Sequence, residues 1–423
     1  MLVVYHRYTY PRFADAATIN HHIGAIEQYS AHNVWSVNAE LGFPRGLAEL
    51  EFDAIVLHYS VFGMSSDNYM LDDEWWEYLS STQAHLTAFF QDEYIRNGQR
   101  YRMLDAYEFD CVFTLLEPSQ FAATYAGRTS VPTIVWSLAG YVSDDVVGAA
   151  QKFALPDAQR PVDVSYRGRP LFPYMGRGGL EKSQIATGFA AAAKGSGLVL
   201  DIDGSVGGRI YGDDWWRLLG RSKAALGVEA GVSVFDVDDV VFPEYLRRLD
   251  ANPDLTVDDM TDVLAPHEDR ILYRTISPRH FEAAAFGVCQ VLFEGRYSGH
   301  MQPMVHYLPL RKDFSNADEV IAQLKDAALR GEIVANARRD LVDSGEFGYS
   351  RLAAQYDGVL ADAGITPRRN PDDDAVVAAV MRRDRVRRRL EWTKRYAIKM
   401  PVEGVYNRTF ARLRDLAATR RTR

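Results

Sequence analysis

Apolar and polar positions alternate along this chain with two periods. Short, mostly apolar runs occur at Leu2–Tyr5, Asn33–Val37, Ala54–His58, Leu86–Phe90, Asp110–Leu115 and Thr133–Trp136. Their near-continuous hydrophobicity is the pattern of strands covered on both sides. Between them lie segments with apolar residues three and four apart, Ala16–Tyr29, Asp72–Ser80 and Arg100–Ala106. These predict helices, and in the second Trp75, Trp76 and Leu79 share one side. Strand and helix taken in turn predict an α/β fold: a parallel sheet with helices on both faces, in which ligands bind beyond the carboxyl ends of the strands.

A linker is expected from Pro156 to Pro161, and a second alternating unit follows it. Strands are expected at Val162–Tyr166, Leu198–Ile202 and Ala224–Leu226, with helices at Glu181–Ala193 and Trp215–Arg221. The stretch from Asp236 to Pro266 is acid-rich and helix-like, an expected inserted cap. Helices are expected at Glu319–Ala328 and Glu332–Ser344, the latter with Ile333, Ala337 and Leu341 spaced for packing, and at Tyr349–Ala363.

The most informative stretch is Ser277 to Asp313. Ser277 can cap a helix, and Pro278 suits its first position, where a missing N–H costs nothing. Phe281, Ala284 and Ala285 keep helical spacing, Gly287 stops the helix, and Cys289–Phe293 reads as a buried strand. One carboxylate, Glu282, sits among alanines small enough to admit a second molecule. A helix N-terminus facing a cleft binds phosphate through its unpaired N–H groups, and a carboxylate nearby suits a pair of sugar hydroxyls.

The run FEAAAFG (Phe281–Gly287) resembles the glutamate-alanine segment in the C-terminal domain of GT-B glycosyltransferases. His306-Tyr307-Leu308-Pro309-Leu310 and Asp313-Phe314-Ser315-Asn316 resemble its continuation in the spore-maturation-type (CgeB-like) branch. The resemblance covers roughly residues 160 to 360. It implies two Rossmann-like domains facing across a cleft. On that layout the first (1–158) takes the acceptor and the second (159–345) a nucleotide-diphosphate sugar. A crossover helix (346–364) and a basic helical tail (365–423) follow. The implied reaction moves a sugar from that donor to a hydroxyl of a glycan or glycoconjugate, with no cofactor beyond the donor and no metal. Glu282 would then contact the ribose. The partner glutamate that relatives carry seven residues earlier is Thr275 here, so Glu229 is a candidate for its role. Two other readings share the layout: a nucleotide-sugar 2-epimerase, and a non-catalytic protein that binds sugar or nucleotide.

The remaining candidates follow from placement. Gly176-Arg177-Gly178-Gly179 opens a helix, and Arg177 and Lys182 match the spacing of the family's arginine–lysine pair on the leaving phosphate. Arg167 or Arg169, nearer the end of the preceding strand, could hold the arginine role instead. Ser298, Gly299 and His306 lie in the loop after the strand that ends near Glu294, where they could touch donor or acceptor or serve structure alone. In the first domain Asp92 or Glu93, and alternatively His58, stand at strand ends as candidate bases for an acceptor hydroxyl. The adjacent His21 and His22, with His6, lack ligand spacing. Asp201-Ile202-Asp203 and Asp236-Val237-Asp238 read as structural turn acids.

Composition narrows the picture. With 423 residues and 47% hydrophobic content the chain can bury two cores. Cys111 and Cys289 each fall in an apolar run and read as buried thiols. No apolar run approaches the ~20 residues that span a bilayer, and the N-terminus reads as a strand without a signal-peptide pattern, so a cytoplasmic protein is expected. Net charge is −9, unevenly spread: residues 381–423 carry +11, which leaves −20 on the rest. Val386, Leu390, Ile398, Val402, Phe410 and Leu413 punctuate that basic tail. It is expected to be a solvated helical extension, to pack on the acidic body, or to touch the inner face of the membrane peripherally, with no nucleic acid as partner.

Overall fold

A computed structural model of the chain describes residues 1–9, 17–63, 69–367, 371–394 and 396. The first half forms a six-stranded sheet from β1 (Leu2–Tyr5), β2 (Trp35–Asn38), β3 (Ala54–Leu57), β4 (His85–Phe89), β5 (Cys111–Thr114) and β6 (Thr133–Trp136). Its order is β2-β1-β3-β4-β5-β6, parallel throughout. Central strands such as β3 and β5 are buried at every position, which is why their sequence shows no polar face.

The second half carries β7 (Val162–Arg167), β8 (Leu200–Asp203), β9 (Ser222–Gly227), β10 (Ala230–Val234), β11 (Glu268–Thr275), β12 (Cys289–Phe293) and β13 (Leu308–Leu310). Five of these form a parallel sheet in the order β13-β12-β9-β7-β8. Two Rossmann-like sheets with flanking helices thus give the GT-B-like architecture. The linker is a single tight turn, Asp157–Gln159, pinned by buried Arg160, which donates to the carbonyls of Ser222, Phe286 and Gly287. Helix Tyr349–Asp362 crosses back and lies on helix Ala17–Tyr29 of the first half, burying Leu352, Ala353, Tyr356 and Leu360. Asp357 there accepts from Ser30 Oγ at 2.6 Å.

Three departures from the sequence expectation matter. The helix expected from Glu181 starts at Arg177, directly after Gly176, whose φ of 76° needs glycine. Helix Asp144–Phe153, capped by Ser143, was not expected. The stretch Asp236 to Pro266 is helical as expected, with helix Val241–Ala251, but it is carried on an antiparallel ribbon that was not expected, β10 with β11, and reaches the first domain. Asp239 accepts from Asn97 N (2.7 Å) and Gly98 N (2.8 Å), so it caps helix Asn97–Ala106 from the other domain, while Asp238 pairs with Arg128 at 2.7 Å. Ala16 and the tail positions Ile398, Val402, Phe410 and Leu413 lie outside the described residues.

Candidate functional site

Both sheets reverse their winding direction once, between β1 and β3 in the first and between β7 and β9 in the second. A crevice is expected at each such point, and each holds a cavity. The second-domain cavity, about 240 Å³, lies beyond the ends of β7 and β9 and against helix Pro278–Ala285. Its wall includes Arg167, Arg169, Lys182, Trp215, Glu229, Ser277, Arg279 and Ala283. The first-domain cavity, about 390 Å³, is lined by His6, Arg7 and Tyr8 after β1, by Tyr59, Ser60 and Phe62 after β3, and by Phe90, Gln91 and Asp92 after β4.

The second-domain cavity is cationic. Arg167 is neutralised by Asp201 at 2.6 Å. Arg169 and Arg279 have no carboxylate partner among the described residues; Arg169 lies over the Phe172 ring and Arg279 over Trp215, at 5.8 and 5.3 Å. Lys182 sits with them. Burial, then the Arg279 charge, pulls its ammonium pKa from 10.5 down to about 8, against the opposing pull of Asp92. Three cations held together with little compensation form a site poised for a multiply charged anion.

Asp92 belongs to the other cavity and faces this cluster across the cleft. Enclosure by both domains raises its pKa, while Lys182, Arg100 and Arg169 hold it down. The residue is nonetheless exposed, so water in the cleft screens these opposing effects.

The other expected residues divide. Ser277 lines the second-domain cavity and caps its helix, its Oγ accepting from Arg279 N. Glu229 lines it too, but Oε1 is held by Arg296 N (3.0 Å) and Tyr297 N (2.7 Å). Glu282 lies behind the wall: it is buried, and Oε2 accepts from Trp215 Nε1 at 2.8 Å. Arg177 is exposed and away from the cavity, and the N–H groups of Arg177 and Gly178 are taken by Glu268 Oε1 and Ser233 Oγ. The glycine-rich turn therefore offers no free N–H there, and the arginines that line the cavity are Arg167, Arg169 and Arg279, not Arg177. The sequence reading missed Arg279, because Pro278-Arg279-His280 read only as a helix start.

Four candidates have structural partners and lie outside both cavities. Glu93 is buried and accepts from Thr114 Oγ1, Leu115 N and Tyr125 OH, which leaves it no proton-abstracting geometry. His58 is buried against Tyr59 and His22, with Nδ1 bonded to Ser60 and its pKa far below normal through burial. His306 uses both ring nitrogens, Nδ1 toward Gln302 N and Nε2 toward Asp340. Ser298 ties Thr275 Oγ1 and Ile276 N, and neighbouring Gly299 adopts φ 78° in the same turn. The acids of the two short Asp-x-Asp runs are engaged likewise: Asp201 by Arg167, Asp203 by Ser205 N, Asp236 by Val240 N and Phe242 N.

No family model and no curated protein matches the chain. Among solved structures it is similar to TarM (10% identity, 74% of this chain and 56% of that one, TM-score 0.41). It is also similar to an alpha-glucosyltransferase in complex with UDP and a 13-mer DNA containing a central A:G mismatch (9%, 84% and 97%, 0.47). A third is Anabaena Alr3699/HepE in complex with UDP-glucose (11%, 85% and 99%, 0.45). The chain thus spans little more than half of TarM's length. Likeness at this level says nothing of chemistry. Among the described residues no helix is long and apolar enough to cross a membrane.

Proposed function

We propose that the protein is a glycosyltransferase, moving a sugar from a nucleotide-diphosphate donor to an acceptor hydroxyl of a glycan or glycoconjugate. One observation carries this: a carboxylate in the first-domain cavity, Asp92, opposes three cations, Arg169, Lys182 and Arg279, in the second. A base on one side of a cleft and an anion site on the other suits transfer of a sugar from a phosphate leaving group to a hydroxyl.

The diphosphate would rest against Arg169, Lys182, Arg279 and the N-terminus of helix Pro278–Ala285, with Ser277 at its cap. Negative charge grows on the leaving oxygen in the transition state, so fixed cations there speed the step beyond what binding alone gives. Asp92 would take the acceptor proton, and its raised pKa suits that task. Glu282 would act on the ribose end through Trp215, whose indole it holds at the cavity wall.

The test is a panel of nucleotide diphosphates and sugar nucleotides against wild type and Asp92→Asn, read by calorimetry and by product release. The expected result is one preferred nucleotide, bound by the variant at least as tightly as by wild type because the carboxylate that competes for Lys182 is gone, with transfer reduced roughly 10²- to 10⁴-fold in the variant. Donor turnover without acceptor, giving an epimerised sugar, would assign a 2-epimerase. Binding without turnover under any acceptor would assign a non-catalytic protein, and absence of binding would overturn the donor site itself.

A further inference from the structure

The last described helices carry a surface that the transfer reading leaves unused. Helix Pro371–Arg383 is anchored: Val377 and Val380 are buried, Met381 packs on the first-domain core, and Asp374 accepts from Trp35 Nε1 at 3.0 Å. Helix Arg385–Thr393 continues it and is held along one side only. Arg387 and Arg388 donate to the carbonyls of Phe43 and Asn38, and Trp392 Nε1 donates to Thr9 Oγ1 at 2.8 Å. On the other side Val386 is 70% and Leu390 64% exposed, the highest values among the large hydrophobics of the described residues. Four residues apart, they share a helix face. Arg382, Arg385 and Arg389 beside them are exposed and make no ion pair among the described residues.

The occupant of this face follows from its chemistry. Two aliphatic side chains among unpaired arginines match the boundary between anionic headgroups and acyl chains, where apolar burial and charge attraction act together. The apolar patch is too small for a stable protein interface, and nucleic acid would leave both aliphatic residues in water. Residues 397–423, which follow directly, add a net +5 to the same end of the chain.

We infer that helix Arg385–Thr393 docks the protein on an anionic bilayer, with Val386 and Leu390 in the headgroup–acyl boundary and Arg382, Arg385 and Arg389 among the headgroups. The docked face lies beside the first-domain cavity, because Thr9 follows Arg7 and Tyr8 of its wall. Resting on the transfer reading, the acceptor hydroxyl is then presented by a lipid-anchored molecule.

The experiment uses the full chain with vesicles of phosphatidylcholine alone and of phosphatidylcholine with phosphatidylglycerol. Sedimentation is expected only with the anionic vesicles and to weaken steeply with salt. Reversing the three arginines (R382E/R385E/R389E) should lower partitioning on the order of a hundredfold, and V386E/L390E should also lower it. An environment-sensitive dye at Leu390→Cys should shift to the blue on anionic vesicles, while the same dye at Lys194→Cys should not. Equal binding to neutral vesicles, undiminished binding by both multiple variants, absence of binding, or an unshifted dye at position 390 would each overturn the docking. Sugar-nucleotide binding measured on the same preparations reports separately on the transfer reading.

Discussion

Lys182 offers the sharpest test of the cationic site, because its charge is costly until a ligand arrives. In the unfolded chain its ammonium titrates at 10.5; in the folded protein burial, and then Arg279, bring it to about 8. At pH 7 that gap amounts to roughly 3 kcal/mol against the folded state. Because the folded value is the lower one, the penalty is fully present below pH 8, fades between pH 8 and 10.5, and vanishes above. Lys182→Met keeps the aliphatic stem and removes the charge. The ligand-free variant should therefore be more stable than wild type by up to roughly 3 kcal/mol at pH 7, and by roughly 1.5 kcal/mol at pH 9.5. It should also bind nucleoside diphosphate about tenfold to a hundredfold more weakly, as expected when a charge-assisted hydrogen bond is lost. Denaturant titrations at both pH values, with calorimetry of nucleoside diphosphate binding, measure all three quantities. A variant no more stable at pH 7, or one whose gain does not shrink with pH, would show that the lysine is well solvated and refute the reasoning.

Two further outcomes test the groups around it. Glu282→Ala leaves the Trp215 N–H without its acceptor and should cost about 1–3 kcal/mol of stability while weakening donor binding; Glu282→Gln, which still accepts from the indole, should keep both, and loss of donor binding in the glutamine variant alone would instead show the carboxylate gripping the ribose directly. His22 is buried, with a pKa pushed down to about 3, so it stays neutral in the fold and is charged in the unfolded chain below pH 6.5; stability should fall as pH drops from 6.5 toward 3, by roughly 3 kcal/mol at pH 4 from this residue, and His22→Phe should flatten that slope in acid denaturation.

Much of this architecture is legible because parallel strands buried on both faces must be apolar throughout. Runs such as Ala54–Leu57 and Cys289–Phe293 announce themselves, and their order in the chain fixes which loops meet at the carboxyl ends. Helix starts are harder to read. Gly178 and Gly179 look like loop residues, yet they are helical because Gly176 makes the turn and Glu268 and Ser233 satisfy the first N–H groups. Those partners lie 91 and 55 residues away, and local sequence holds no trace of them. The ribbon strand β11 was hidden for a similar reason: its charges, from Glu268 to Arg274, pair with one another and with the neighbouring helix, so its pattern is not that of a core strand. The direction of Glu282 is likewise set by Trp215, which belongs to another element.

Asp92 and Lys182 are counter-ions in the ligand-free protein, and that has a consequence for catalysis. Under the transfer reading a donor diphosphate takes over Lys182, Arg169 and Arg279. Asp92 then loses the attraction that held its pKa down, while its enclosure, which pushes the pKa up, stays or grows. Donor binding thereby makes Asp92 a stronger base at the moment an acceptor proton must be removed, and a weaker one when no leaving group is present to be wasted on water. The acid limb of kcat reports the loaded enzyme, and that of kcat/KM for the donor reports the empty one. The kcat limb should lie at the higher pH, and Lys182→Met should bring the two limbs together by raising the lower one. Coincident limbs in wild type would mean that Asp92 does not sense the donor, and the base would have to be sought elsewhere in the first-domain cavity.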